Sequence, residues 1–326
     1  MAIDWQPLVE IIDRSQSFLL TTHCRADCDA VGSELALAAL LRSRGKRVAI
    51  VNGDAVPEHI LFIDPQHQVQ VLGEDIKLEE IEFDALIVVD TSAWGQLGPM
   101  ANVVRQFPGA RAVVDHHVSS DDLGATVVRD DTAEATGRMI LELAERLEAE
   151  VTPEIARSLF AAIATDTGWF RFSSVKEATF LALAKLVAAG ADPPAIFSAL
   201  YEQHSLARLH LRGRILSHVV SDLEGRLMST HVTQEDFSET GANETDTEDA
   251  INSLHTVAGS EVAVLFVELQ ENVTKVSLRS RTDFDVSKVA AQFGGGGHRA
   301  ASGIRFAGLL DDARKAILDA LRVAME

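Results

Sequence analysis

Two short clusters of histidine and aspartate carry the residue types of a metal site. The first is the segment His23–Ser33, with the sequence HCRADCDAVGS, and the second is Asp115–His117, with the sequence DHH. Carboxylate oxygens combined with imidazole nitrogens suit Mn²⁺ or a similar divalent ion. Because Asp27 and Asp29 alternate along one loop, they can face two different ions. The chemistry indicated is therefore that of a divalent-metal centre.

Apolar runs precede these polar residues, which predicts that the polar residues stand where buried strands end. The runs are Phe18–Leu20, Ala85–Val89 and Ala112–Val114, and the polar residues that follow them are His23, Asp90 and Asp115. In an open parallel sheet, ligands collect outside the carboxyl ends of the strands. The three strand ends therefore predict one shared site.

The number of carboxylates predicts two ions rather than one. Four of them are candidates for the site, namely Asp27, Asp29, Asp90 and Asp166. At close range they repel one another, and two divalent cations cancel their formal charge. Such a pair of ions, roughly 3.5–4 Å apart, activates water and stabilises the attacking and leaving oxygens of a phosphoryl displacement.

These residues resemble the motifs of the DHH phosphoesterase family. Five motifs occur in family order, at His23–Ser33 (H-x-x-x-D-x-D-A-x-G-S), Asp90, Asp115–His117 (D-H-H), Thr165–Gly168 (T-D-T-G) and Gly294–His298 (G-G-G-G-H). The fifth motif resembles the C-terminal DHH-associated domain of that family. Over nearly its whole length the chain is most similar to the branch of bacterial nanoRNases (oligoribonucleases) and 3′-phosphoadenosine-5′-phosphate phosphatases.

The resemblance implies a role for each motif residue. One ion is assigned to His23 and Asp27, the other to Asp29, His116 and Asp166, and Asp90 is assigned as the bridge between them. His117 is expected to donate to the scissile phosphate or the leaving oxygen, while Asp115 orients the histidines. The chain departs from the usual pattern at Ala26 and Cys28, where the family commonly has proline and glycine, but it keeps the ligands.

A glycine run near the C-terminus is the second candidate for binding. Gly294, Gly295, Gly296 and Gly297 carry no side chains, so their backbone N–H groups can approach a phosphate or base, although a plain flexible turn is the alternative. The run follows the helical Val286–Gln292, so it is no dinucleotide-binding fingerprint. Arg279, Arg281, His298 and Arg299 concentrate positive charge nearby. By resemblance, Arg279 and His298 form a substrate clamp.

Two cysteines near the first motif leave a rival metal site open. Cys24 and Cys28 with His23 are potential zinc ligands. A structural zinc site normally needs four nitrogen or sulfur ligands, whereas the neighbouring residues here supply oxygen. Two cysteines do not make a disulfide framework, which favours reduced thiols in a cytoplasmic protein.

Length and composition indicate a two-domain enzyme. The 326 residues exceed one typical core, and 47% hydrophobic content is enough to bury two. No stretch resembles a membrane span or a signal peptide, which predicts a cytoplasmic protein without a membrane partner. The net charge of −20 opposes nonspecific binding of long nucleic acid, so an anionic substrate must be small or locally recognised.

The fold class expected is α/β, with an N-terminal parallel-sheet DHH domain and a smaller α/β DHH-associated domain. The domain bounds expected are 1–195, a helical linker at 196–220, and 221–326. Helices are predicted at Ala30–Arg44, Ala133–Leu147, Glu154–Ala164, Lys176–Ala189 and Thr247–Val257. Strands are predicted at Val48–Val51 and Arg226–Val232, with a hairpin of Glu261–Gln270 and Val273–Arg281.

The function expected is a bimetallic phosphoesterase, using two Mn²⁺ ions or else Mg²⁺ or Co²⁺. Its expected substrates are short RNA oligonucleotides and small nucleotides such as 3′-phosphoadenosine-5′-phosphate, not long duplexes. The same metal centre also serves pyrophosphatases and cyclic-dinucleotide phosphodiesterases, so these stay open as alternatives. A nucleotide-binding sensor without catalysis is the non-enzyme alternative, which a lost ligand would favour; none is lost. The resemblance also implies a homodimer.

Overall fold

The computed structural model describes residues 3–77, 82–118, 120–270 and 272–326. The chain forms two compact units, residues 1–203 and residues 204–326. Each unit has its own six-stranded sheet. The expected fold class, a parallel-sheet α/β domain followed by a second α/β domain, is confirmed.

The sheet of the first unit is entirely parallel and has a topological switch point at its centre. Its strands are β1 Ser17–Thr21, β2 Arg47–Asn52, β3 Val69–Val71, β4 Ala85–Val89, β5 Ala110–Asp115 and β6 Thr126–Arg129. Their order is β3-β2-β1-β4-β5-β6, so β1 and β4 are neighbours from which the chain winds outward in opposite directions. Ligands in open α/β sheets bind at such a point, outside the carboxyl ends of the strands.

Helices cover both faces of this sheet. They are α1 Gln6–Arg14, α2 Cys28–Ser43, α3 Met100–Gln106, α4 Thr136–Arg146, α5 Pro153–Asp166, α6 Glu177–Ala188 and α7 Pro193–Tyr201. Helices α2, α4 and α5 enclose the larger core, whereas α3 covers the opposite face. The α2–α5 contact is close, because a Cβ on Gly32 would lie 2.6 Å from the Ser158 carbonyl oxygen. A tightly packed core therefore holds the start of α2 against the sheet.

Two helices begin at residues other than the predicted ones, and local contacts explain the difference. Helix α2 begins at Cys28 rather than Ala30, because the Asp27 carboxylate caps it by accepting the N–H groups of Asp29 and Ala30. Helix α4 begins at Thr136 rather than Ala133. At both starts the backbone donates to an aspartate side chain, Asp27 for α2 and Asp29 for α4, and hydrophobic periodicity does not encode such polar contacts.

The second unit has a mixed sheet. Its strands are β7 Val220–Asp222, β8 Leu227–Val232, β9 Val262–Glu268, β10 Val273–Ser280, β11 Gly296–His298 and β12 Ala301–Ala307, in the order β11-β12-β10-β9-β8-β7. Strands β8 and β9 are parallel and the other neighbours are antiparallel. The helices are α8 Leu206–Ser217, α9 Gln234–Thr240, α10 Val286–Gln292 and α11 Leu310–Met325. The predicted hairpin is β9 and β10; its turn residue Glu271 lies outside the described residues.

Two predictions for this part of the chain were wrong in detail. The helical stretch expected over Ile196–Val220 is two helices, α7 and α8, separated by residues 202–205. The helix expected over Thr247–Val257 is instead a 3₁₀ helix at Ala250–Thr256, preceded by a shorter one at Glu244–Thr247. Asp249 between them has φ 62°, a left-handed backbone that no α-helix accommodates.

No single helix in the described residues is long and apolar enough to cross a membrane. Helices α6 and α7 reach the length and hydropathy of a membrane span only when they are taken together, and the chain bends by 103° between them.

Candidate metal centre

The structure brings six Asp and His side chains together at the switch point of the first sheet. His23 follows β1, Asp90 follows β4, His116 follows β5, Asp27 and Asp29 lie at the start of α2, and Asp166 ends α5. Donor atoms within 4.8 Å of one another form two separate sets in this cluster, His23 with Asp27 and Asp90, and Asp29 with His116 and Asp166. A third set joins Asp90 and His116 to His117.

The surroundings of His116 fit a cation. Its Nδ1 lies 3.2 Å from the Ala133 carbonyl oxygen, which can only accept, so Nδ1 carries the proton. Nε2 is then the ring nitrogen left to bind a ligand, and it faces Asp166 Oδ2 at 3.4 Å, Asp90 Oδ1 at 3.6 Å and Asp29 Oδ2 at 3.9 Å. Nε2 is buried and has no hydrogen-bond partner. A lone pair that faces three carboxylates is satisfied by a metal ion.

His23 has the same arrangement on the other side of Asp90. Its Nδ1 lies 3.0 Å from the Cys24 carbonyl oxygen, and its Nε2 lies 3.6 Å from Asp90 Oδ2. Asp27 uses Oδ1 to cap α2, which leaves Oδ2 for a ligand. Beside them a pocket of about 440 Å³ is lined by His23, Cys24, Arg25, Gly95 and Gln96. The donor set therefore fits a second ion with an open side.

The buried carboxylates are electrostatically unbalanced without cations. Burial raises the pKa of Asp29, and burial and the neighbouring Asp29 and Asp27 hold the pKa of Asp90 well above its ordinary value. Burial, with the same two neighbours, raises the pKa of Asp166 to about 7. Like charges packed this closely indicate that the site binds cations.

The start of α4 supports the ligands, and sequence reasoning missed it. The N–H groups of Thr136 and Gly137 donate to the two oxygens of Asp29 at 2.7 and 2.8 Å, and the Thr136 hydroxyl donates to Asp90 Oδ1 at 2.8 Å. A Cβ on Gly137 would lie 2.7 Å from the Ala162 Cβ. These residues lie about a hundred positions from Asp29 and have no periodic pattern, so only the fold identifies them.

Asp90 has an unusual backbone for its position. Its φ is 60°, although its side chain is almost fully buried and directly follows a regular strand. A non-glycine residue in this region costs on the order of 1–3 kcal/mol and persists where the surroundings enforce it. The backbone turn places the carboxylate between His23 and His116.

His117 stands beside the cluster and is oriented by Asp115. Its Nδ1 donates to Asp115 Oδ1 at 2.8 Å, and this hydrogen bond raises the pKa of His117. Asp115 also accepts from the Ser92 hydroxyl. Burial opposes ionisation of Asp115, but these hydrogen bonds hold its pKa below the ordinary value. His117 is therefore an imidazole held by Asp115 through Nδ1 and about half exposed, so Nε2 is the ring nitrogen left to meet a ligand.

The cysteines do not form a zinc site in the described part of the chain. None of the metal-competent groups found there includes Cys24 or Cys28. Cys28 is fully buried in α2, and burial raises the pKa of its thiol far above the ordinary range. Zinc binds thiolate rather than thiol, so the structure favours the oxygen and nitrogen donors.

In the second unit, Arg279 and His298 stand at one level of the sheet. Both are register partners of Ala301, Arg279 from β10 and His298 from β11, so the three residues share one face. The Arg279 guanidinium donates to the Leu278 carbonyl oxygen, and His298 is exposed. The small Ala301 stands between the Arg279 guanidinium and the His298 imidazole in this row. This row can receive an anionic group.

The glycine run differs from a simple anion-binding loop. The N–H groups of Gly294 and Gly295 are engaged by the Ala291 and Ala290 carbonyl oxygens, so they are not available to a phosphate. A Cβ on Gly295 or Gly297 would lie 2.3 or 2.5 Å from a backbone oxygen of β12. Gly294 and Gly296 have no such neighbours. Packing against β12 alone therefore explains why positions 295 and 297 are glycine.

Parallel strands, a switch-point cluster of Asp and His, and a second α/β unit define the class of metal-dependent phosphoesterases with two domains. The model of the DHH family, N-terminal domain, matches residues 17–163, and that of the DHHA1 domain matches residues 226–325. The chain belongs to the DHH phosphoesterase family, whose members are metal-dependent hydrolases of phosphodiester bonds.

Relatives and a solved structure match almost the whole chain. The bifunctional oligoribonuclease and PAP phosphatase NrnA of Thermus thermophilus is 31% identical over 304 residues, which cover 93% of this chain and 88% of that protein. The protein of the same name from Bacillus subtilis is 26% identical and covers 91% of each. The crystal structure of an exopolyphosphatase-related protein from Bacteroides fragilis, 24% identical, matches with a TM-score of 0.89 over 100% of this chain and 99% of that one.

Proposed function

We propose that this protein hydrolyses short oligoribonucleotides and 3′-phosphoadenosine-5′-phosphate, with two Mn²⁺ ions as the preferred cofactors. The observation that carries the proposal is the convergence of six Asp and His side chains at the switch point. The similarity to oligoribonuclease and PAP phosphatase relatives over nine-tenths of the chain supports the substrate class.

The two sets of donor atoms suggest how the ions would be divided. His23, Asp27 and Asp90 would hold one ion, and Asp29, His116 and Asp166 the other. One Asp90 oxygen lies 3.6 Å from Nε2 of His23 and the other lies 3.6 Å from Nε2 of His116, so this carboxylate would serve both ions. When bound, such a pair supplies an activated water and stabilises negative charge on the phosphoryl oxygens. The hydrogen bond to Asp115 fixes the His117 ring, so its Nε2 can donate to a phosphate or leaving oxygen.

Net charge and the second unit favour small substrates. The charge of −20 repels a long polyanion, so recognition has to come from local cations. Arg279 supplies such a cation, and His298 places an imidazole hydrogen-bonding group on the same face of the sheet. Because each additional phosphate outside the clamp meets a repulsive field, we expect the rate to fall as the oligonucleotide lengthens.

The test is hydrolysis by the purified protein with Mn²⁺, Mg²⁺ or Co²⁺. The substrates are ribonucleotide oligomers of two to about twenty residues, 3′-phosphoadenosine-5′-phosphate, pyrophosphate and a cyclic dinucleotide. We expect turnover of the shortest oligomers and of 3′-phosphoadenosine-5′-phosphate, and none by Asp90→Asn. Preference for the cyclic dinucleotide or pyrophosphate would reassign the substrate. Tight nucleotide binding without hydrolysis would identify a sensor.

The same proposal includes a cytoplasmic homodimer. Size-exclusion chromatography with light scattering tests the oligomeric state, and cell fractionation tests the location. Either result can fail without affecting the metal chemistry, because all six candidate ligands come from one chain.

A further inference from the structure

A chain of buried polar side chains lies behind the metal loop. Glu34 on α2 and Thr22 after β1 are completely buried, and Asn52 at the end of β2 is 2% exposed. Asn52 Nδ2 donates to Glu34 Oε2 at 2.8 Å, and the Thr22 N–H donates to Asn52 Oδ1 at 3.2 Å. The Thr22 hydroxyl donates to the Val89 carbonyl oxygen at 2.8 Å. One network thus joins α2, β2, β1 and β4.

Two members of this network directly precede candidate ligands in the chain. Thr22 precedes His23, and Val89 precedes Asp90. The Thr22 N–H can only donate, so it fixes which end of the Asn52 amide is the oxygen. The Nδ2 group must then face Glu34, which has to accept. Removing that acceptor would leave the buried Asn52 amide unsatisfied beside Thr22, the residue that precedes His23.

We propose that Glu34 and Asn52 are positioning residues of the metal centre, which set the Thr22–His23 backbone so that the His23 imidazole reaches its ion beside Asp90. This inference rests on the proposed metal-dependent function. Neither residue touches a ligand side chain, and their effect passes through the Thr22 peptide.

Glu34 performs this role as a neutral acid. Its pKa is raised to about 8, chiefly by burial and also by the nearby Asp64 carboxylate, while the hydrogen bond from Asn52 opposes the shift. Asp64 is itself buried and accepts the N–H groups of Gln68 and Val69. Glu34 Oε1 has no hydrogen-bond partner. A glutamine would therefore keep the one bond that matters, whereas an apolar residue would remove it.

The experiment is titration of the metal-free protein with Mn²⁺, followed by electron paramagnetic resonance, without substrate. It compares Glu34→Gln, Glu34→Leu, Asn52→Ala and the double variant Glu34→Leu/Asn52→Ala. Leu37→Ala is the matched control, because Leu37 is equally buried one turn further along α2 but takes no part in the network. Thermal unfolding of each variant is recorded in parallel.

We expect Glu34→Leu and Asn52→Ala each to weaken binding of one Mn²⁺ by about 10–100-fold. The double variant should be no worse than either single change, because both break one network. Glu34→Gln should stay within about twofold of the parent, and Leu37→Ala should lose stability but keep its Mn²⁺ affinity.

Parent-like Mn²⁺ affinity in both Glu34→Leu and Asn52→Ala would overturn the inference. An equal loss in Glu34→Gln would also overturn it, because the charge rather than the acceptor would then matter. If Glu34→Leu does not fold, Asn52→Ala against Leu37→Ala decides the question. Substrate is absent throughout, so a wrong substrate class would leave these results intact, whereas a parent protein that binds no Mn²⁺ would refute both proposals.

Discussion

Nδ1 of His117 lies 2.8 Å from Oδ1 of Asp115, two positions earlier in the chain. The same Asp115 oxygen accepts the His117 backbone N–H at 3.1 Å. One buried carboxylate thus holds both the backbone and the ring of the residue that we expect to meet the substrate.

Replacing Asp115 by Asn should lower kcat by about 10–100-fold, because a neutral amide replaces the carboxylate whose charge-assisted hydrogen bond fixes the tautomer and direction of the His117 ring. Ser92→Ala removes only a hydroxyl donor to the other Asp115 oxygen and should have a smaller effect. The measurement is steady-state kinetics with Mn²⁺ saturating. Unchanged kcat in Asp115→Asn would mean that His117 needs no orientation.

Asp90→Asn should reduce turnover by at least ~10³-fold and lower Mn²⁺ occupancy, because it removes the negative charge of the carboxylate that faces a histidine of each donor set. The fold should survive, since asparagine tolerates the positive φ of this position. Metal analysis and circular dichroism of the same sample distinguish these effects. Full occupancy by two ions with near-normal turnover would contradict the bimetallic assignment.

The pKa of Glu34 predicts how stability depends on pH. In the unfolded chain the carboxyl ionises near pH 4.5, whereas in the fold it keeps its proton up to about pH 8. Unfolding therefore releases a proton in this window, and the free energy of unfolding falls as pH rises, by up to about 1.4 kcal/mol per pH unit. The Glu34→Gln variant has no titrating group at this position.

The check is urea unfolding of the parent and of Glu34→Gln at pH 5 and pH 8. The difference between the two proteins cancels the other titrating groups, and it should favour Glu34→Gln increasingly towards pH 8. A difference that does not change with pH would mean that Glu34 is ionised in the fold.

The positions of the candidate ligands follow from sequence, because each stands at the end of an apolar run or of a helix. The runs before His23, Asp90 and Asp115 predict β1, β4 and β5, and the observed strands end at those residues or within two positions of them. A parallel sheet then brings the three ends together without further information. Local pattern and topology are sufficient here.

The supporting contacts do not follow from sequence. Thr136 and Gly137 reach Asp29 only because α4 packs against α2, and Glu34 resembles a surface residue until the core closes around it. The short strand β11 was also missed, since glycines predict a loop more readily than an edge strand. Each of these features depends on contacts between distant segments.

Arg279→Ala should lower kcat/KM on nucleotides by roughly 10–150-fold, the loss of charge-assisted contacts worth about 1.5–3 kcal/mol. Hydrolysis of a small activated phosphodiester without a nucleotide should be nearly unchanged, because that substrate cannot use the clamp. A structural role for Arg279 predicts little effect on either substrate. Equal, large losses on both substrates would mean that Arg279 takes part in the catalytic step or is needed for the fold.

Two adjacent glycines of the run, Gly295 and Gly296, allow an effect on packing to be distinguished from an effect on substrate binding. In Gly295→Ala the new Cβ would lie 2.3 Å from the Gly303 carbonyl oxygen, so we expect destabilisation of about 1–3 kcal/mol. In Gly296→Ala the Cβ meets no atom within 4 Å, and the free energy of unfolding should be unchanged. If the substrate approaches this strand, Gly296→Ala should nevertheless raise KM for dinucleotides while the small activated phosphodiester is hydrolysed normally. A KM equal to that of the parent in Gly296→Ala would mean that this glycine does not contact the substrate, and that the clamp consists of Arg279 and His298.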